Sequence, residues 1–153
     1  MPKPAYPIPG DPISSAWGTE MIDYAGEKWR YVSTPVLTAL NDVDGQTVMQ
    51  SLELTNLPLN DPNVVAAEVA LMARLNSGST SHNIAAYDFV SGNEAGRSYV
   101  SGVTSRGGYS GNFKVLVGGT NNRQIKWNSS LAGATLDCWL YCFGYWVRET
   151  IVP

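Results

Sequence analysis

Residues 134–147, ATLDCWLYCFGYWV, decide the fold. Successive side chains of a strand point to opposite faces. A period of two places Ala134, Leu136, Cys138, Leu140, Cys142, Gly144 and Trp146 on one face. It places Asp137, Trp139, Tyr141, Phe143 and Tyr145 on the other. One face is lined by small and aliphatic residues, the other by rings, so the strand is apolar on both sides. A strand with one solvated face alternates apolar with polar, whereas this one calls for a dry neighbour on each side. The pattern predicts a β-sandwich protein built to associate.

Outward from this strand, shorter runs are separated by turn chemistry. Gln46–Thr55 alternates, with Val48, Leu52 and Leu54 on one face, and Asn56–Asn63 (NLPLNDPN) reads as loop. Phe113, Val115 and Val117 alternate up to the glycine pair 118–119, and Gln124–Asn128 sets Ile125 and Trp127 inward. SRGGYSG (105–111) and GGTNN (118–122) are glycine-rich turns. Asp61–Asn76 carries helix-start signals, with Asp61 as an N-cap candidate and Pro62 in the first turn. Its period-two fit is as clean: Val65, Ala67, Val69, Leu71, Ala73 and Leu75 on one face, Glu68 and Arg74 on the other. Strand is the expected state. Short strands at this spacing predict an all-β, jelly-roll-like antiparallel sandwich over residues 34–153.

Residues 1–33 differ from the rest. Pro2, Pro4, Pro7, Pro9 and Pro12 forbid a helix or an interior strand and favour polyproline-like geometry. Large apolar residues are interspersed: Tyr6, Ile8, Ile13, Trp17, Met21, Ile22, Tyr24, Trp29 and Tyr31. The segment is expected to be an extended arm, lying across a neighbouring subunit or folding back on its own domain. Tyr6, Ile8, Ile13 and Trp17 are its candidate anchors.

The 153-residue chain is 44% hydrophobic and 15% charged, with a net charge of −3, which suffices for a full core and argues against a basic nucleic-acid surface. No apolar run approaches the roughly 20 residues of a membrane span, and the proline-rich start lacks a signal-peptide core. Cys138 and Cys142, four residues apart on one strand, would sit about 13 Å apart, beyond disulfide reach. They are expected to be free thiols serving as core residues, in keeping with a reducing compartment.

Signatures of catalysis are sparse. His82 is the single histidine, flanked by Ser81 and Thr80 at the start of a predicted strand, and a turn or surface role is expected. No metal-binding spacing, P-loop or cofactor motif occurs. The acid pairs Glu20/Asp23, Asp42/Asp44 (in a predicted turn) and Asp88/Glu94 carry no sign of burial. No catalytic residue, cofactor or metal site is expected, and the chain reads as a non-enzyme. Trp139, Tyr141, Phe143 and Tyr145 are the candidate interface or core aromatics. A packing seam is the expected use of the row, with sugar stacking as the alternative.

The chain resembles virion proteins of tailed bacteriophages. Gly10-Asp11-Pro12-Ile13-Ser14-Ser15-Ala16-Trp17-Gly18 is similar to the openings of phage head-fibre and tail-fibre proteins. Residues 134–146 look like the last strand of small phage jelly-roll domains, and LTNLPLNDPNVVAAEVALMARL resembles their early strand. The resemblance implies a homotrimeric head decoration or cementing protein, made in the host cytoplasm and placed on the capsid surface. Its implied partners are the major capsid protein and copies of itself. A tail- or head-fibre tip that recognises host glycans is the alternative.

Overall fold

The computed structural model describes residues 27–32, 37–78, 80–101 and 107–148. The predicted arm anchors Tyr6, Ile8, Ile13 and Trp17 lie outside the described residues. Ten strands follow one another: β1 (Glu27–Tyr31), β2 (Leu37–Gly45), β3 (Gln50–Glu53), β4 (Val64–Leu75), β5 (Ser81–Tyr87), β6 (Glu94–Ser101), β7 (Gly108–Tyr109), β8 (Phe113–Leu116), β9 (Gln124–Ser129) and β10 (Gly133–Arg148). Among the described residues the only helical element is a 3-10 turn at Thr120–Asn122. The all-β expectation holds, and all pairing is antiparallel.

The strands form two sheets. In sheet A, β10 pairs with β4 along most of its length, from Leu136↔Leu75 to Val147↔Val64. Its other edge is shared by β2 along its first part and β1 along its end. The far edge of β4 is shared by β7 and β8 in the same way. Sheet B runs β3–β9–β5–β6. The β1–β2, β5–β6 and β7–β8 connections stay within one sheet, and the other successive strands cross between the sheets.

Both inner faces feed one core. Val69, Leu71, Leu75, Val115, Leu136 and Leu140 from sheet A meet Ile84, Ile125 and Trp127 from sheet B, with Leu54 from the loop after β3. Each such side chain stabilises the fold by about 1.5–3 kcal/mol through burial. Within segment 61–76, Val64–Leu75 is strand because tertiary burial outweighs the local helix signals, and Asp61 caps the turn before it, accepting from the Asn63 amide at 2.9 Å. Cys138 and Cys142 are free and buried in this core. Desolvation pushes the Cys138 thiol up to about 12 and the Cys142 thiol up to about 11.

Three local expectations are corrected. Gln46–Met49 is the connection between β2 and β3, and Val48 is exposed at its tip. Strand pairing begins only at Gln50, where β9 is in reach. Asp42 and Asp44 lie within β2 and not in a turn; a β-bulge lets β2 run on past Asp42, which has a φ of 55°. Thirdly, β10 does not alternate uniformly. Its register against β4 slips between Cys142 and Gly144, leaving Phe143 as the extra residue of a bulge. Beyond it the phase inverts. Tyr145 and Val147 pack on the core, and Trp146, read from the sequence on the small-residue face, turns outward. β4 slips likewise at Val65, so Val64 takes the core position expected of Val65.

Candidate functional site

The chemistry-bearing surface of this molecule is the outer face of sheet A. Paired residues in antiparallel strands share a face, and the register sets the rings of three strands beside one another. Trp29 of β1 pairs with Trp146 of β10, Tyr31 pairs with Gly144, and Met72 of β4 lies between Trp139 and Tyr109 of β7. Tyr141 follows Trp139 on the same face. Trp29 is 43% exposed, Tyr31 64% and Tyr109 57%; Trp139, Tyr141 and Trp146 are half-buried. Leu116, exposed and paired with Ala66, extends the apolar surface.

Gly144 makes one part of this face possible. A Cβ there would lie 2.6 Å from the Arg30 carbonyl oxygen and 2.7 Å from the Trp29 ring. The bare backbone lets the indole of Trp29 settle flat on the sheet, where its Nε1–H donates to Glu68 Oε2 at 3.0 Å. Tyr31 stands beside it, ring centroids 5.9 Å apart.

The charges on this face neutralise one another. Arg74 donates to Asp137 Oδ2 at 2.6 Å, Asn76 donates to the same oxygen at 2.7 Å, and the Arg74 guanidinium lies 5.4 Å from the Trp139 ring centroid. At the other end Lys114 pairs with Glu27 and lies 5.1 Å from the Trp146 centroid, and Arg148 reaches Glu27 at 3.4 Å. Cations against ring faces add about 0.5–1 kcal/mol at exposed positions. The Asp137 carboxylate is the one buried ionisable group of the face, and its partners satisfy it.

Of the four predicted aromatics, Trp139 and Tyr141 lie on this outer face, Phe143 is half-buried at the bulge and Tyr145 packs inward. Sequence reasoning missed Met72, Tyr109 and Trp146. The alternation that hid Trp146 carries no mark of the bulge, and Tyr109 sat inside a stretch read as a turn. Trp29 and Tyr31, counted with the arm, are strand residues of the sheet edge.

Elsewhere, His82 is held between two hydroxyls, its Nε2 3.0 Å from Thr80 Oγ1 and its Nδ1 3.3 Å from Ser130 Oγ. Among the described residues no cluster of three His, Cys, Asp or Glu side chains is arranged to hold a metal, and no helix is long and apolar enough to cross a membrane. No protein-family model matches the chain, and no curated protein matches it in sequence.

Proposed function

We propose that this protein is a structural assembly protein acting through the outer face of sheet A, and specifically a decoration or cementing protein of a tailed-phage capsid. One observation carries the reading: Trp29, Tyr31, Trp139, Tyr141 and Trp146 form a ring-lined, charge-neutral sheet face. Such a face loses free energy in water and gains it against another protein surface. The virion context rests on the resemblance of residues 10–18 to the openings of phage head-fibre and tail-fibre proteins and of residues 134–146 to the last strand of small phage jelly-roll domains.

The strand order supports a finer assignment to the jelly roll. β2–β10–β4–β8 faces β3–β9–β5–β6, the double Greek-key wrap frequent in capsid domains. In the proposed assembly three copies meet, the aromatic faces are buried within the trimer or under the arms, and the arms bridge to neighbouring subunits or to the capsid. Each contact is modest; linked contacts form at high local concentration and give a firm attachment.

The exposed rings of Tyr31 and Tyr109 favour a second reading, glycan capture at a fibre tip. Sugar recognition needs free polar groups beside the rings, and Glu68, Arg74, Asn76 and Asp137 are already bonded within the chain. Assembly is therefore preferred. The test is co-sedimentation of the full chain with capsids of the phage that encodes it, with copy number by quantitative mass spectrometry. Hundreds of copies per particle, lost with Trp139→Ser/Tyr141→Ser, support decoration. Few copies with glycan-array binding support the fibre tip, and no particle association overturns both.

A further inference from the structure

We propose that the outer face of sheet A is the seat of the proline-rich start of the N-terminal segment, residues 1–18, of a second copy of this chain. The inference rests on the assembly reading and names the occupant of its face.

Three features of the face select this occupant. It is lined by rings, the surface that proline-rich segments dock against through pyrrolidine–ring contacts. Its charged groups are already paired at both ends, in Arg74–Asp137 and in Lys114–Glu27–Arg148, so it suits a neutral ligand. It also already accepts an indole from the strand that this segment feeds: Trp29 lies on Gly144 and is fixed by Glu68.

The segment matches in composition and length. Within residues 1–18 the only charged side chains are Lys3 and Asp11, which cancel, while Tyr6, Ile8, Ile13 and Trp17 supply apolar anchors between the prolines. Five prolines remove five backbone donors that would otherwise need partners on an apolar surface. At about 3.1 Å per residue, 18 residues in polyproline-like geometry would span about 56 Å. The 16 residues of β10 cover about 53 Å.

Chain direction selects the second copy. β1 enters the sheet at Arg148 and runs toward Gly144. To cover Trp139 and Tyr141 of its own sheet the segment would have to reverse before Glu27, since β1 starts at the Arg148 end of β10. An extended segment reaches those rings on a neighbour without reversing.

The test places the photocrosslinker p-benzoylphenylalanine at Tyr6 of the full chain and irradiates a mixture of isotopically labelled and unlabelled protein. Cross-links should map to β4 and β10 peptides of sheet A, with labelled–unlabelled pairs in the statistical proportion. Tyr141→Arg should lower their yield about tenfold, the loss expected of one anchor contact, while Lys126→Glu on sheet B leaves it unchanged. If Tyr141→Arg does not fold, as judged by circular dichroism, Trp139→Gln takes its place. Cross-links within single chains, onto sheet B, or insensitive to these substitutions overturn the proposal. Particle binding is scored separately: capsid association without these cross-links refutes the seat alone, and the cross-links without capsid association refute the virion role alone.

Discussion

The outer face of sheet B is mainly polar, with its groups bonded to one another and Tyr99 as its exposed ring, while that of sheet A gathers rings from neighbouring strands into one surface. On sheet B, Arg97 binds Glu94, donates to Asn83 Oδ1 at 2.8 Å and lies 5.9 Å from the ring centroid of Tyr99, which stays 65% exposed; Tyr87 donates to Asn128 at 3.0 Å. At its β3–β9 side, Arg123 and Asn121 both donate to Glu53, at 2.8 Å and 3.0 Å. Sheet A has the same antiparallel pattern and pairs its charges as well, but five rings of β1 and β10 share its surface. The two faces rest on one core and differ in what they leave uncovered. Stability belongs to both sheets, and association is expected of one.

The largest expected effect comes from Gly144→Val, which drives a branched side chain into the Arg30 carbonyl and the Trp29 ring. Overpacking of this kind costs about 1–3 kcal/mol. A valine at Ser51, exposed on the outer face of sheet B, should change stability by less than about 0.5 kcal/mol. Urea unfolding of the two variants measures the difference directly, and equal midpoints would remove the special status of Gly144.

Next in size, Trp139→Ser/Tyr141→Ser should weaken self-association at least about tenfold, or 1.4 kcal/mol. The matched pair Arg97→Ser/Tyr99→Ser on sheet B should leave sedimentation velocity profiles unchanged. If the sheet B pair dissociates the protein instead, the roles of the faces are reversed.

Asp137→Asn should cost about 1–2 kcal/mol, because a buried carboxylate that accepts from Arg74 and Asn76 is lost. Glu94→Gln, at an exposed pair, should cost no more than about 1 kcal/mol. Thermal unfolding at low and high salt separates them further, since only the exposed pair is well screened.

The smallest effect is in acid. Hydrogen bonds from Asn121 and then Arg123 hold the Glu53 carboxyl below its ordinary value of 4.5, and Arg97 does the same for Glu94. The folded chain therefore binds these protons less readily than the unfolded chain. Their stabilisation is present above about pH 4.5 and is lost as pH falls through the lowered folded values. Glu53→Gln/Glu94→Gln should flatten the acid limb of the stability curve, and an unchanged limb would show that these carboxylates do not shape it.

How much of this was readable beforehand follows from where information resides in a strand. β4, β9 and β10 were legible because each buries one face and alternation records that burial: Ile125, Trp127, Leu136 and Leu140 all point where their spacing requires. The bulges were not legible. A single extra residue such as Phe143 leaves no mark in composition, yet it exchanges the faces of every residue after it, and so Trp146 and Tyr145 traded places. Tyr109 escaped for another reason: two-residue β7 is strand only because Met72 and Ala73 of β4 lie beside it. The rings of residues 139 and 141 could be named from sequence; the contributions of β1 and β7 required the pairing.

The position of β10 also governs how this molecule comes into being. It is the latest of the ten strands to be synthesised, yet it lies between the β1/β2 edge and β4, and its final residue pairs with Glu27, more than a hundred positions upstream. Until Arg148 clears the ribosome, β1, β2 and β4 have no central partner, and the apolar inner edge of β4 stays open to other nascent chains. Closure therefore waits for all ten strands and is dominated by long-range pairing, on the millisecond-to-second scale of such topologies. Chaperone cover matters most during that interval.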